Sequence, residues 1–198
     1  MIRRIVGKAV MGILKTDVLQ AAGPLQLCSE HKAEAEAAVH AMRAVFEDDN
    51  TDGIFFVDAA NAFNNLNRKV ALFNIRYVCA PISTILINCY RTNAHLYVGG
   101  LTLYCERGTT QGDSLAMAMF ALATVSLIHS VAISGATQAW FADDAASGGK
   151  LSKLRQWWDA LSVVGPRYRY YPNAMKTYLL VKPDQLAEAQ HIFLALVF

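Results

Sequence analysis

Two adjacent aspartates, Asp143 and Asp144, are the residues whose positions most directly suggest chemistry. They follow a short apolar run at 140–142. Such a run is typical of a buried strand, and neighbouring residues of a regular strand point to opposite faces of the sheet. The two carboxylates can therefore act on one ligand only if the chain turns at the pair. We predict a β-hairpin with the pair at its tip, where carboxylate oxygens would suit a hard divalent cation.

A third carboxylate, Asp58, ends another apolar run at 53–57, whose β-branched and aromatic content favours a central strand. If the two strands are neighbours, three carboxylates converge at one sheet edge and repel each other unless cations neutralise them. Oxygen ligands suit Mg²⁺ or Mn²⁺, and two such ions about 4 Å apart can promote phosphoryl transfer. A single aspartate after a strand is more often a cap or turn residue, but three in one context favour a metal site.

The loop at 108–114, Gly-Thr-Thr-Gln-Gly-Asp-Ser, is the second group of residues that could bind a ligand. Gly108 and Gly112 permit tight turns and close approach of a ligand to the backbone. A long apolar helix is predicted directly after the loop, and its N-terminus would favour phosphate or another anion. The loop could thus support a nucleotide or a template base. The alternative is an ordinary N-capping loop with Asp113 or Ser114 as the cap.

The composition describes a folded chain and excludes several classes of protein. Of the 198 residues, 54% are hydrophobic and 17% are charged, which excludes a disordered chain and predicts one domain. The formal net charge of +2 is too small to argue for nucleic acid by itself. The four cysteines form no CxxC pair and the histidines lack metal-ligand spacing, so we expect free thiols in a reducing, intracellular compartment and no zinc site. We identify no signal peptide.

One segment, 115–134, contains no formally charged residue over a length that could span a membrane. Asp113 stands just before it, and Thr124, Ser126 and His129 interrupt its second half. It also lacks a basic flank that would set its orientation in a bilayer. We therefore predict a buried central helix, with a membrane protein built on 115–134 as the alternative.

Hydrophobic periodicity, caps and turn residues predict the remaining elements. Predicted helices lie at 4–22, 30–46, 68–78, 81–90, 151–164 and 184–196, and predicted strands at 53–57, 95–98, 101–104, 138–141 and 177–181. Gly148-Gly149 is expected to break the chain and Gly165-Pro166 to end a helix. Because two strand connections are hairpins, the pattern favours an α+β fold with a small antiparallel sheet over a doubly wound parallel sheet.

Four short blocks follow one another along the chain. They are Phe56-Val57-Asp58-Ala59-Ala60-Asn61-Ala62-Phe63-Asn64, Gln111-Gly112-Asp113-Ser114, Phe141-Ala142-Asp143-Asp144 and Asn173-Ala174-Met175-Lys176-Thr177. In this order they resemble the palm of reverse transcriptases encoded by retroelements of the retrotransposon type. The resemblance covers about 4–183. It implies partial fingers at about 1–50, a palm at about 51–183 whose antiparallel sheet carries the catalytic aspartates and is backed by helices, and a terminal helix at 184–198.

The resemblance also implies roles for the acidic and aromatic residues. Asp58 and Asp143 would be the principal ligands of Mg²⁺, with Mn²⁺ as a substitute, and Asp144 would lie beside them at the hairpin tip. Phe63 would lie under the sugar of the incoming nucleotide, where an aromatic ring clashes with a 2′-hydroxyl and so selects deoxynucleotides. Judged without the family, Phe63 would be a core aromatic residue.

Further roles implied by the resemblance concern the nucleotide and the template. Gln111 and Gly112 would lie along the template and the nascent base pair. Lys176 would contact the triphosphate or protonate the leaving pyrophosphate, and its alternative is a surface lysine. At the start of the chain, three basic residues resemble the end of the fingers segment that grips the triphosphate in this family. They are Arg3, Arg4 and Lys8.

The segment 167–173 is predicted to be a loop in which arginines alternate with tyrosines. Arg167 and Arg169 could follow a phosphate backbone, and Tyr170 could stack on a base. The alternative, equally supported, is a solvated loop whose tyrosines pack inward.

The sequence departs from the family pattern at Ser114, where proline is usual, and at Asn64, where aspartate is usual. A primer-grip hairpin and thumb are expected after Pro183 but are not found in the sequence. The resemblance implies an RNA template, a DNA primer and dNTPs as partners, together with the remaining fingers and thumb of a longer polyprotein. The rivals are an inactive or incomplete retroelement remnant and an RNA-dependent RNA polymerase, which would prefer Gly-Asp-Asp at the tip.

Overall fold

The computed structural model describes residues 2–28, 34–110 and 112–194. Eight α-helices lie in these ranges: α1 (Ile2–Ala22), α2 (Glu34–Glu47), α3 (Ala62–Asn65), α4 (Arg68–Val78), α5 (Ala80–Tyr90), α6 (Ala116–Ser130), α7 (Leu151–Tyr168) and α8 (Leu186–Phe193). Six strands accompany them: β1 (Gly53–Val57), β2 (Ala94–Val98), β3 (Leu101–Cys105), β4 (Ala136–Phe141), β5 (Asp144–Gly149) and β6 (Tyr178–Val181). The predicted α+β class is confirmed.

The main sheet has four strands in the order β4-β5-β1-β6, and all its pairs are antiparallel. The first strand of the sequence is thus central, as its continuous apolar character predicted. The register places Val57 opposite Ala145, so Asp58 emerges beside the start of β5, where Asp144 pairs with Phe141 across the hairpin. The predicted convergence of the three aspartate-bearing strand ends at one sheet edge is therefore present.

The two faces of the sheet pack against different helices because side chains alternate along β1. Phe55 stacks on Trp158 of α7, with ring centroids 4.9 Å apart. Ile54 faces α2, where a Cβ added to its neighbour Gly148 would lie 2.5 Å from a methyl carbon of Val45. A glycine at this position therefore lets α2 approach the sheet closely.

Helix α6 runs through the centre of the molecule. Met119, Leu122 and Leu127 are completely buried, and the hydroxyl of Thr124 is satisfied by donating to the carbonyl of Phe120. This confirms the predicted buried helix. Within the described ranges, no helix combines the length and apolar character needed to cross a membrane.

One of the two predicted breaks is wrong. Gly148-Gly149 are the last two residues of β5, directly before α7, as expected, but α7 continues through Gly165-Pro166 to Tyr168. The helix ends only when Arg169 adopts a left-handed conformation with φ 59° and the amide of Tyr170 donates to the carbonyl of Gly165. A Cβ at Gly165 would lie 2.7 Å from the carbonyl oxygen of Tyr170, so this glycine accommodates the returning chain instead of stopping the helix.

Candidate active site

The tip of the β4–β5 hairpin is the two-residue turn Ala142-Asp143. Ala142 has φ 55°, a left-handed conformation that costs an alanine about 1 kcal/mol or more. The side-chain amide of Gln26 compensates by bonding the backbone of Ala142 on both sides: its Oε1 accepts from the amide at 3.0 Å, and its Nε2 donates to the carbonyl at 3.2 Å. The hydroxyl of Tyr170 donates to the carbonyl of Asp143 at 2.8 Å. The turn is thus fixed by residues distant in sequence.

Asp58 is connected to the fourth block through the backbone. Its carbonyl accepts from the amide of Asn173 at 2.8 Å. The side chain of Asn173 in turn caps a 3₁₀ turn, Ala174–Lys176, by accepting from the amide of Met175. This turn directs Lys176 back to the sheet edge, where its Nζ lies 3.3 Å from Oδ2 of Asp58. The fold therefore places the ammonium of Lys176 beside the carboxylate of Asp58.

The three carboxylates interact electrostatically. Burial raises the pKa of Asp143 above its ordinary value, and the negative charge of Asp58 raises it further. Burial likewise raises the pKa of Asp144, with additional contributions from the charges of Asp143 and Asp58. The ammonium of Lys176 opposes both shifts but does not cancel them. The sheet edge therefore carries more negative charge than one lysine neutralises.

This edge suits a hard divalent cation by its donor chemistry and by its charge. The donors are carboxylate oxygens, which Mg²⁺ and Mn²⁺ prefer. Burial raises the pKa values of Asp143 and Asp144, neighbouring carboxylates raise them further, and a bound cation would offset both effects. In the described part of the chain, no three His, Cys, Asp or Glu side chains are grouped closely enough to form a ready set of metal ligands. Binding would require the side chains of Asp58, Asp143 and Asp144 to turn towards one another.

A cleft of about 500 Å³ lies between α2 and the sheet and reaches this edge. Its walls are mainly apolar, with Met42 and Phe46 from α2 facing Phe56 from β1. Asp58, Asp144 and Lys176 border the cleft. The charged groups are therefore accessible from an open, largely apolar space.

Phe63 lies on the short helix α3 and is half-buried. Its ring stacks on Phe120 of α6 with centroids 4.3 Å apart and planes inclined by 21°. Its carbonyl accepts from the amide of Thr109 at 2.8 Å, which joins it to the start of the 108–114 loop. The ring thus has both the core contact expected from its residue type and an exposed part.

The 108–114 loop is glycine-dependent at its start. Gly108 has φ 65°, and a Cβ there would lie 2.3 Å from the carbonyl oxygen of Asn64. Gly112 also has a positive φ, of 75°, but a Cβ there would meet no atom of the described residues beyond its chain neighbours within 4 Å. Gln111 lies outside the described residues. Oδ1 of Asp113 accepts from the amide of Leu115, the N-cap residue of α6, and so stabilises the turn that leads into the helix. The N-cap itself has no side-chain hydrogen bond, so the alternative of Asp113 or Ser114 as the cap is wrong.

The segment 167–173, which contains the alternating arginines and tyrosines, is not a fully solvated loop, because it begins in the last turn of α7 and buries Tyr170. Arg167 is exposed in the last turn of α7, and Arg169 is half-buried at its C-cap. Tyr170 is only 2% exposed, and its ring packs against Trp140 at a centroid distance of 5.5 Å. The expectation that Tyr170 stacks on a base is corrected, because its ring has no face open to a ligand. The inward-packing alternative describes this tyrosine.

Several residues that shape the site were missed by sequence reasoning. Gln26 is one, because its partner Ala142 is 116 positions away and nothing local marks it. Another is Tyr90, which donates a hydrogen bond to Asp113. A third is Asp52, whose carboxylate accepts from the amide of Leu151 and thereby caps α7. Asp52 caps a helix that begins 99 positions later, so nothing in the sequence around it indicates this role.

Comparison with known proteins finds similarity in structure only. No protein-family model matches the sequence, and no curated protein matches it. Among solved structures, telomerase from Candida albicans in complex with a fragment of telomeric RNA superimposes with a TM-score of 0.67 at 13% identity, over 88% of this chain and 35% of that one. Apo telomerase from Candida tropicalis gives 0.63 at 11% identity, over 91% and 36%, and a form truncated at its C-terminal domain gives 0.61 at 13%, over 89% and 40%.

The chain therefore spans between 35% and 40% of the length of these telomerases. At such low identity the likeness shows the fold and no more. The described chain shares the fold of the matched part of these telomerases.

Proposed function

We propose that this chain is the palm and part of the fingers of an RNA-directed DNA polymerase of the retrotransposon type. It would transfer deoxynucleotides from dNTPs to the 3′-hydroxyl of a DNA primer on an RNA template. The observation that carries the proposal is the convergence of Asp58, Asp143 and Asp144 at one sheet edge, next to Lys176, on a polymerase fold.

Asp58, Asp143 and Asp144 would hold Mg²⁺, or Mn²⁺ as a substitute. The chemistry supplied at such a site is the activation of an attacking hydroxyl and the stabilisation of the leaving oxygen. The chain itself supplies the hairpin turn that presents Asp143, held by Gln26 and Tyr170. It also supplies a cation, Lys176, beside the carboxylates, where it can contact a triphosphate.

The nucleotide would lie near Phe63 and Gly112. Phe63 is supported from below by Phe120, so its ring cannot withdraw easily from a sugar placed above it. This rigidity suits the exclusion of a 2′-hydroxyl by steric contact. Gln111 and Gly112 would contact the template or the nascent pair, and Arg167 and Arg169 would contact a phosphate backbone. The remaining fingers and the thumb of a longer polyprotein would complete the grip on the primer.

The proposal is tested by primer extension in the full-length protein that carries this chain, with an RNA template, a DNA primer, dNTPs and Mg²⁺. Asp58→Asn and Asp143→Asn should each lower extension on the order of 10³-fold or more, because each removes a charge at the reacting centre. Asp159→Asn is the matched control, since Asp159 is an exposed aspartate on α7 that pairs only with Arg155 within the described residues.

Unchanged extension by either site variant would exclude the assignment. Binding of the metal is tested separately by thermal unfolding of the 198-residue chain with and without Mg²⁺. Mg²⁺ should raise the melting temperature of the wild type more than that of Asp143→Asn. A wild type that binds Mg²⁺ but never extends a primer would favour the inactive or incomplete remnant.

A further inference from the structure

The 108–114 loop is tied to α1 by a buried carboxylate. Oδ2 of Asp113 accepts from Nε of Arg3 at 3.0 Å, from Nη2 of Arg3 at 2.6 Å and from the hydroxyl of Tyr90 at 2.6 Å. The side chain of Asp113 is 1% exposed, whereas that of Arg3 is 42% exposed. A carboxylate buried to this degree is tolerated only when its charge is compensated, so Arg3 and Tyr90 together fix its position.

Tyr90 links the two charged residues and the loop backbone. The guanidinium of Arg3 lies 4.8 Å from the centroid of the Tyr90 ring, a favourable cation–π distance. The Tyr90 hydroxyl accepts from the amide of Thr110 at 3.5 Å while it donates to Asp113. Burial, followed by the hydrogen bond to Asp113, raises the pKa of Tyr90 to about 12, so this hydroxyl stays a donor at neutral pH.

Helix α1 touches the loop closely as well. The hydroxyl of Ser114 donates to the carbonyl of Arg4 at 3.1 Å. A Cβ added to Gly7 would lie 3.2 Å from Cβ of Ser114, a spacing that leaves no room for a larger side chain without a shift. The C-terminal side of the loop is thus seated on one turn of α1.

The opposite side of the loop is anchored independently. The amide of Gly108 donates to the carbonyl of Leu66 at 2.9 Å, and that of Thr109 donates to the carbonyl of Phe63 at 2.8 Å. The start of the loop is therefore bonded to Phe63, the residue proposed to contact the sugar, and its end is bonded through Asp113 to Arg3. Thr110 and Gly112 lie between these two anchors.

We propose that Arg3, with Tyr90, is a positioning residue that sets where the 108–114 loop meets the nascent base pair. The inference rests on the proposed polymerase function. It replaces the expectation that Arg3 grips the triphosphate, because the guanidinium of Arg3 is already committed to Asp113. Helix α1 would thereby couple its own position to the geometry of the nucleotide site.

The test is steady-state extension kinetics in the full-length protein, on a DNA-primed RNA template with a varied dNTP. Arg3→Met and Asp113→Asn should each raise KM for the dNTP about tenfold while kcat changes less, because they misplace a contact surface and leave the reacting groups intact. The double variant Arg3→Met/Asp113→Asn should be no worse than either single variant, since the two residues act as one unit.

Conservative changes separate positioning from folding. Arg3→Lys keeps the charge and should restore part of the wild-type KM, and Tyr90→Phe should give a smaller rise than Arg3→Met. Arg76→Met, which removes an exposed arginine from α4, is the control and should leave KM unchanged. Thermal unfolding of each variant is measured in parallel.

Four results would contradict the proposed role of Arg3. An unchanged KM in Arg3→Met, an equal rise in Arg76→Met, or additive effects in the double variant would show that the Arg3–Asp113 pair does not position the loop. A loss of activity that only follows a lower melting temperature would assign the pair a purely structural role. A wild type without any extension would overturn the proposed function and this inference with it, whereas an active wild type with unaffected variants would overturn the inference alone.

Discussion

Two hairpins of this chain have the same loop length but are stabilised in opposite ways. The β4–β5 hairpin turns at Ala142-Asp143, and Ala142 is only 5% exposed. The β2–β3 hairpin turns at Gly99-Gly100 and is exposed on both faces, with Tyr97 at 76% and Leu101 at 68%. The first is held by contacts from elsewhere in the fold, and the second depends on its own sequence.

The backbone of the two turns shows the cause of this difference. Gly99 and Gly100 have φ 56° and 81°, the combination that favours a tight hairpin and that glycine adopts without steric cost. Ala142 has nearly the same φ as Gly99, 55°, but carries a Cβ. Its conformation is maintained by Gln26, a residue from the segment after α1. The turn that carries Asp143 is thus specified by tertiary contacts.

The largest expected effect on stability comes from Gln26→Leu. Leucine has a similar volume but cannot bond the amide and carbonyl of Ala142, so two buried backbone groups lose their partner. An unsatisfied buried group costs about 1–3 kcal/mol, and we expect the free energy of unfolding to fall by about 3 kcal/mol. Urea denaturation followed by circular dichroism measures the change.

The matched control lies on the other hairpin. Tyr97→Ala is a larger change in side-chain size than Gln26→Leu, but Tyr97 is exposed. The free energy of unfolding should therefore change by no more than about 0.5 kcal/mol. A similar loss in both variants would show that the two hairpins are stabilised in the same way.

The same contrast explains how much of the fold the sequence predicts. The β2–β3 hairpin was predicted at 95–98 and 101–104, within one residue of its bounds, because Gly-Gly between alternating residues is a local signal. Helix α4 was predicted at its observed bounds, Arg68–Val78, since its periodicity and preceding asparagine are also local. The predicted end of α7 was wrong, since the helix runs through Gly165-Pro166 and ends at the left-handed Arg169, where the amide of Tyr170 donates to the carbonyl of Gly165.

The residues of the candidate site also fall into two groups, those with a local sequence motif and those without one. The four blocks located Asp58, Asp143 and Lys176, and the structure brings them to one edge. The supporting residues Gln26 and Tyr90 carry no motif, because a hydrogen bond between distant segments leaves no pattern in either segment. The positions of the motif residues were therefore more predictable than the contacts that hold them in place.

A smaller effect is expected from Tyr170→Phe. This change removes only the hydrogen bond from the hydroxyl to the carbonyl of Asp143 and keeps the ring against Trp140. We expect a loss of about 1 kcal/mol in the free energy of unfolding. Tyr104→Phe on the β2–β3 hairpin is the counterpart, and its exposed hydroxyl should contribute a few tenths of a kcal/mol at most. Equal losses would remove Tyr170 from the set of residues that hold the β4–β5 hairpin.

The smallest effect concerns the pH dependence of stability at the buried tip. The pKa of Asp143 in the folded chain is raised above the unfolded value of 3.8, first by burial and then by the charge of Asp58. Between these two pKa values the folded chain binds more protons than the unfolded chain, so stability falls as the pH rises through this window. Asp143→Asn removes the titrating group.

Without divalent cations, the unfolding free energy of Asp143→Asn should therefore equal that of the wild type below pH 3.8 and exceed it at pH 7. Because Asp143 is half-exposed, solvent screens its charge and the gain should be smaller than the change for Tyr170→Phe. Urea denaturation in EDTA at several pH values measures the difference between the two proteins. A variant less stable than the wild type at pH 7 would show that the carboxylate of Asp143 stabilises the folded hairpin, contrary to the repulsion inferred from its neighbours.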